Sequence, residues 1–413
     1  MPLSALALAA SPLDALVPAA AASSPSGWFA ISLGVFENLI LAITLLVTVV
    51  TAYLIWSQAR AHFEVDKVHR FIERWNEPAM SDSVASVDEL LDELASAEQP
   101  AEVAAGLRVK AGPEAEAARA MHRPVYNLLQ EIGATYKRGL LHDDLFDDLF
   151  ASIVQRYYEG LAPYMLTMRA QLGRVSLLED WEWLAAHTRV REARKAVPKA
   201  GRGTRVAIPH KRLLRGSREL LTDVAVFGYG SLVHPDSAAR TVRGPWAPFQ
   251  VARTWPANLR GYERAWNYRQ EVELQDPQER AHLTFLGLSP REGRVCPGVL
   301  VPVLVDDLAS LDKRERDYER VEVTDRIGYD AEFLRGRDPY KRVYTYVPRS
   351  PADDSTRAVV PASYVRLLAR AKDVWGERYG AMFEGLDVLP SGIETLDRMY
   401  RFVDPEQNAA AGR

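Results

Sequence analysis

The sequence predicts a multidomain chain. One N-terminal transmembrane helix precedes an all-α middle domain and a C-terminal mixed α+β domain. Three observations predict it. An apolar run near the N-terminus is long enough for a bilayer. Apolar residues recur at helical spacing through the next hundred residues. Beyond Asp223 the texture changes to short β-branched and aromatic runs separated by turn residues. At 413 residues the chain exceeds one ordinary core, and about 150 residues per domain suggests two or three units.

The first element is "FAISLGVFENLILAITLLVTVVTAYLIW", from Phe29 to Trp56. Only Glu37 and Asn38 interrupt it. Leu39 to Trp56 carries no charge and covers about 27 Å as a helix, close to a ~30 Å hydrocarbon core. Trp28 and Phe29 on one side, and Tyr53 and Trp56 on the other, would sit in the two interfaces. A soluble helix of this length normally shows a polar stripe, which this one lacks. No Lys or Arg precedes it, whereas Arg60, Lys67, Arg70 and Arg74 follow. The positive-inside rule therefore puts the N-terminus outside and the C-terminal domain in the cytoplasm. Residues 1–28 are Ala-rich, lack a basic n-region, and contain Asp14 and prolines that break the apolar run. They are expected to be a disordered extracytoplasmic tail.

The transmembrane helix is assigned to 29–58 and the helical domain to 59–187. Phe63 to Trp75 should continue as a charged juxtamembrane helix. "SVDELLDELASAEQPAEVAAG" follows, acidic and low in complexity. Val125, Leu128, Leu129 and Ile132 lie at i, i+3, i+4 and i+7, a helical face that Gly139 should end. Leu145, Leu149 and Ile153 predict a second stripe, with Phe146 and Phe150 beside it. His142 with Asp143, Asp144, Asp147 and Asp148 could bind metal. Acidic residues at a helix N-terminus also serve as caps and dipole partners, and no second ligand cluster lies nearby. No metal is expected. The pattern from Phe63 to His187 loosely resembles a helical domain of unknown function, found behind single transmembrane helices in bacterial proteins.

Residues 188–222 read as a basic linker, with eleven Lys and Arg against Glu192 and Glu219. The reading is a solvated segment, with contact to anionic lipid as the alternative. In the second case it would bind anionic vesicles and leave them as salt rises. Nucleic acid is not expected, since no stacking aromatics are interleaved and the formal charge of the chain is −4. "GRGTR" lacks the frame of a phosphate loop. The single cysteine, Cys296, excludes an intramolecular disulfide and a cysteine-ligated zinc site.

From 223 to 404, "DVAVF", "RAWNY", "HLTFLGL", "GVLVPVL", "ERVEVT" and "RVYTYVP" read as strands. "DDLASLDKRERDY" and "PASYVRLLARAKDVW" read as helices, and 405–413 as a tail. The first strand runs into "FGYGSL". Gly228 and Gly230 thin the backbone on both sides of Tyr229, so main-chain N–H groups can approach an anion. The dinucleotide fingerprint and the nucleophile elbow both fail here, because Val233 or Tyr229 stands where glycine is needed. Further on, Leu308, Leu311 and Glu315 share a helix face, with Lys313, Arg314 and Arg316 pointing elsewhere. An apolar setting, and a helix ending near Tyr318, would raise the Glu315 pKa towards that of a neutral-pH acid/base.

"FGYGSL" at 227–232 and "LDKRERDYERVEV" at 311–323 together resemble the γ-glutamylcyclotransferase family, including its AIG2-like branch. Weaker echoes are "LRGYERAWN", "GRVCPGVLVPV" and "YTYVP". The resemblance covers about Asp223 to Val403. It implies a small mixed β-barrel with flanking helices, Glu315 as catalytic residue, and Tyr229, Gly230, Ser231 and Leu232 as the substrate loop. It gives Tyr318 a binding position. The implied reaction releases 5-oxoproline from a γ-glutamyl small molecule by attack of the substrate's own α-amine, without a cofactor. Two alternatives stand: a silent binding or sensory protein on the same fold, and a cyclotransferase acting on γ-glutamyl amines or glutathione. The sequence leaves the oligomeric state open.

Overall fold

The computed structural model describes residues 27–109, 112–196, 223–242, 244, 246–275, 279–351 and 359–403. The predicted N-terminal tail, most of the predicted basic linker and the C-terminal tail lie outside the described residues. The chain forms two compact units, Met1–Phe63 and Glu64–Arg413.

In the first unit the described element is helix α1, Gly27–Trp75. Within Leu41–Trp75 the most apolar 18 residues have a mean hydropathy of 1.8, and none of them is buried. Leu41, Leu45, Leu46, Ile55 and Trp56 are all exposed. An apolar helix with no protein against it is what a lipid-facing span presents. Among the described residues it is the one helix long and apolar enough to cross a membrane. It therefore supports a single-pass topology. The predicted segment 29–58 falls inside α1, which runs on without interruption to Trp75.

The second unit begins with the last turns of α1, where Val68 and Phe71 are buried. Among the described residues seven helices follow before the sheet: α2 (Pro78–Ser96), α3 (Pro100–Val109), α4 (Pro113–Lys137), α5 (Asp143–Leu149), α6 (Ala151–Gly160), α7 (Ala162–Leu172) and α8 (Glu179–Ala196). The acidic stretch proves to be α2 and α3. Within it Val87, Leu90, Leu91 and Leu94 repeat at helical spacing and are buried. Val125, Leu128, Leu129 and Ile132 of α4 are buried as their spacing predicts, and the chain turns out at Gly139, φ +68°. The predicted second stripe is corrected. Leu149 is exposed, while Phe146, Phe150 and Val154 are buried. Phe150, at φ −122°, separates α5 from α6 and resets the phase. His142 is an N-cap: its Nδ1 accepts from Asp144 N–H at 3.4 Å. Asp143 and Asp147 pair with Arg191. Helix α8 carries the chain through Ala196, so the first residues of the predicted linker are helical.

The rest of the unit is a curled, half-open sheet with flanking helices. Strand β1 (Val224–Gly228) leads through a 3-10 turn, Ser231–Val233, into α9 (Pro235–Thr241) and α10 (Ala247–Arg253). The long strands β2 (Trp255–Leu274) and β3 (Glu279–Pro302) pair antiparallel, with bulges near Gly261 and between Ala265 and Tyr268. These bulges bend the pair and curl the sheet. Then come α11 (Leu308–Arg314), β4 (Tyr318–Glu322), β5 (Ile327–Gly328), α12 (Ala331–Gly336) and β6 (Arg342–Pro348). The order is β4-β6-β1-β3-β2-β5, with β1 parallel to β6. Strand β7 (Val359–Pro361), α13 (Ala362–Gly380), β8 (Glu394–Leu396) and β9 (Tyr400–Phe402) complete it. β7 pairs with β8, and β9 joins the edge of β2.

The helices and the sheet share a core. Leu166, Ala170 and Val175 belong to the apolar cluster that fills the sheet, and Tyr158 stacks on Phe249 at 4.6 Å. Between them lies a buried charge cluster. Glu182 accepts from Arg169 Nη2 at 2.8 Å and from Arg253 Nε at 2.6 Å. Arg337 lies 3.9 Å from the same carboxylate and donates to the carbonyls of Arg253 and Val175.

Candidate functional site

β1 delivers the glycine loop to the end of the sheet. A Cβ on Gly228 would overlap the Cβ of Leu232, so the chain doubles back more tightly than a larger residue allows. A Cβ on Gly230 would lie 2.8 Å from the Tyr364 hydroxyl. Tyr229 is buried and its hydroxyl donates to the Tyr346 carbonyl at 2.7 Å. Tyr346 in turn donates to Asp312 Oδ1 at 3.0 Å, and Asp312 Oδ2 accepts from Arg320. Leu232 packs against the core. Among the described residues, the N–H groups of Ser231 and Leu232 donate to no main-chain carbonyl.

Glu315 arises from α11. Leu308 and Leu311 are buried and seat the helix. The helix stops at Arg314, a turn earlier than expected, and Glu315 is its C-cap. The Glu315 carbonyl accepts from Tyr318 N–H at 2.9 Å. This turn converts the three-residue spacing of Glu315 and Tyr318 into two side chains on one wall. Burial raises the Glu315 pKa; Arg314 opposes the rise and the Asp317 carboxylate adds to it. The side chain keeps 21% of its surface accessible. Arg314 does not point away as expected: its Nε lies 3.0 Å from Glu315 Oε1. The early helix end lets it turn back along the cap.

Both residues open into a cavity of about 420 Å³. Ser231, Glu315, Tyr318 and Arg314 line it, joined by Tyr268, Gln270 and Phe285 from the β2/β3 pair. Tyr364, Arg366 and Arg370 of α13, Arg240 of α9, and Tyr400 and Phe402 of β9 form other walls, and Glu98 and Gln99 of the helical module complete them. The Tyr268 and Tyr318 rings lie 4.3 Å apart, and Tyr268 donates to Asp317 Oδ2 at 3.2 Å. Burial pushes the phenols of Tyr268, Tyr318 and Tyr364 up, so they stay protonated at neutral pH. Of the expected site residues, Ser231, Glu315 and Tyr318 come together on the cavity. Gly230 backs Tyr364, and Tyr229 and Leu232 support the loop from behind. Among the described residues, no group of three His, Cys, Asp or Glu is arranged for a metal ion.

Sequence reasoning missed Arg314, Tyr268, Tyr364 and the two helical-module residues. Tyr364, Leu368 and Ala371 share a helical stripe that was legible. Tyr268 follows a bulge that breaks strand alternation, and nothing local marks Glu98 or Gln99.

A family model described as a domain of unknown function (DUF4760) matches residues 39–188. It begins inside α1 and ends within α8. No curated protein matches the chain. Solved structures with a distant likeness include a γ-glutamyl cyclotransferase at 14% identity and a TM-score of 0.28, covering 46% of this chain and 99% of that one. An uncharacterized protein from Homo sapiens shows 16% identity and a TM-score of 0.26, with coverage of 45% and 96%. A γ-glutamyl cyclotransferase specific to glutathione, from yeast, shows 13% identity and a TM-score of 0.24, with coverage of 40% and 88%.

Proposed function

We propose that the unit Glu64–Arg413 releases 5-oxoproline from a γ-glutamyl compound. The observation that carries the reading is a carboxylate with a raised pKa, Glu315, on the same cavity as the glycine loop. Glu315 takes a proton from the substrate's α-ammonium. The freed amine attacks the γ-carbonyl carbon and closes a five-membered ring. The N–H groups of Ser231 and Leu232 are the candidate donors to the oxygen that gains charge. The γ-carbon–nitrogen bond then breaks as Glu315 returns its proton to the leaving amine; the second proton on the ring nitrogen passes to the same amine, which departs as an ammonium and leaves a neutral lactam. Reactant and products balance without a co-reactant. Because the attack is intramolecular, holding the glutamyl chain in a folded shape lowers much of the barrier. The tyrosine walls suit that task, being apolar bodies with neutral hydroxyl tips. In this reading α1 anchors the protein in a membrane with the unit on the cytoplasmic side.

The test offers the full chain, in detergent, a panel of γ-glutamyl amino acids, γ-glutamyl amines and glutathione, and measures 5-oxoproline. Glu315→Gln keeps the volume but removes the base, and should lower kcat by ~10²–10⁴-fold. Glu319→Gln, exposed on β4, should match the parent. Equal rates for the two variants would remove Glu315 from the chemistry. A parent that binds a γ-glutamyl compound yet forms no product would instead be a binding protein.

A further inference from the structure

The corner between α2 and α3 belongs to the helical module, yet Glu98 and Gln99 line the cavity of the sheet module. The contact is built from directional bonds, buried at Asp236 and half-buried at Glu102. The His234 side chain is fully buried, and Ser231 lies only three residues before it. Its Nδ1 accepts from Asp236 N–H at 3.3 Å, capping α9. That assignment leaves Nε2 as the donor, 3.1 Å from Glu102 Oε1. Asp236 Oδ1 accepts from Ala101 N–H at 2.8 Å. Across the same corner, Arg370 of α13 donates to Glu102 Oε2 at 3.3 Å. Ala101 and Ala105 pack on Val374, bringing α3 against α13. One carboxylate of the helical module therefore holds both the far end of the glycine loop and a guanidinium on the cavity wall. Glu102 itself does not line the cavity.

We propose that this corner is a working part of the site, with Glu102 as a positioning residue for the glycine loop and for Arg370. The inference rests on the cyclotransferase reading for its kinetic consequence, though its structural consequence does not depend on turnover. Without the Glu102 carboxylate, a buried His234 N–H loses its acceptor, and the loop loses the strut behind Ser231. Arg370 loses its carboxylate partner and keeps only the contact with Gln99. Substrate binding then suffers more than the proton transfers, because Glu315 stands on another element. Glutamine at 102 still offers an oxygen to His234, whereas alanine offers none.

The experiment compares the full-length parent, Glu102→Ala and Glu102→Gln by amide hydrogen exchange and by steady-state kinetics. Glu102→Ala should speed exchange about tenfold across residues 228–238, with the β3 core at Val299, Leu300 and Val301 unchanged. KM should rise about tenfold, with a smaller change in kcat, and Glu102→Gln should recover most of both. Unchanged exchange in Glu102→Ala, or exchange that rises equally in β3, overturns the inference. A KM equal to the parent's overturns it while leaving the cyclotransferase reading intact. If the parent makes no 5-oxoproline, that reading fails, and the exchange comparison alone still decides whether Glu102 positions the loop.

Discussion

Replacing Glu182 with glutamine removes one charge from the contact that joins the helical and sheet modules. Three guanidiniums face that carboxylate, at 2.8 Å from Arg169, 2.6 Å from Arg253 and 3.9 Å from Arg337. None of the four side chains is more than 6% exposed. Burial alone would raise the pKa of Glu182, but the three arginines outweigh it and hold it well below the usual carboxylate range. The folded value is depressed, so the stabilisation is present above the unfolded pKa and is lost only as pH falls through the folded one. Glutamine keeps an oxygen for Arg253 Nε. Its NH₂ group then faces Arg169 Nη2, donor against donor, and a cluster of three cations is left without its anion. Breaking a buried pair in this way costs about 3–5 kcal/mol, a large share of a typical total of about 5–15 kcal/mol. Denaturant unfolding of the full chain in detergent, followed by the fluorescence of buried Trp181 and Trp255 and by helical dichroism, measures the loss. The probes should move together to a lower midpoint. Glu192→Gln, exposed on the same helix, should stay within about 0.5 kcal/mol of the parent. If Glu182→Gln is as mild as Glu192→Gln, or if the helical signal falls while Trp255 holds, the two modules are not locked by this cluster.

Gly228→Ala should open the loop, since the added Cβ meets the Cβ of Leu232 and not a flexible tip; a cost of about 1–3 kcal/mol is expected, read as a lower melting temperature with loss of γ-glutamyl binding. In the proposed reaction Glu315 acts as base only when deprotonated, and its pKa is raised, so the acid limb of kcat/KM should lie above the ~4.3 of an ordinary glutamate. By the same sign, Glu315→Gln should gain stability relative to the parent as pH rises through the raised folded value, and none well below the unfolded one; a pH series of melting temperatures checks it. A reporter fused after Arg413 should be shielded from protease added outside intact cells, and cleavage there would reverse the orientation.

Much of the fold was legible because periodicity is a local property. The α4 face, the strand runs and the α13 stripe each announce themselves within a dozen residues, although the runs "HLTFLGL" and "GVLVPVL", read as two strands, prove to be parts of the one long β3. The failures have physical causes. The acidic α2 reads as low complexity because its solvent face dominates its composition, although Val87, Leu90, Leu91 and Leu94 carry the helical phase. The break at Phe150 moves the buried stripe from Leu149 to Phe150 without any glycine or proline to signal it. At the site, Glu315 and Tyr318 were readable from helix spacing and motif. Tyr229 was readable as part of the glycine loop but not as a tie to Tyr346, since its partner lies 117 residues away. Arg314 was misplaced because the α11 helix ends earlier than its charged sequence suggests. The residues at the α2–α3 corner were invisible, because only tertiary packing brings them to the cavity.

The bond from Tyr229 to Tyr346, and on from Tyr346 to Asp312, works like a gauge block between two machined faces. Asp312 sits in α11, three residues before Glu315, so the hydroxyl of one ring and the carbonyl and hydroxyl of another set the separation of the two motifs. The chain between those motifs can therefore vary in length without altering the clearance between loop and carboxylate. The "YTYVP" stretch is then the third contact of one fixture, not a weak echo of the other two. Tyr229→Phe or Tyr346→Phe removes a spacer and leaves every cavity-lining group in place. A defect from either would show as play between the halves of the site: a turnover slower than the parent's, with the ratio between the two narrowing as the temperature is lowered and that motion is damped.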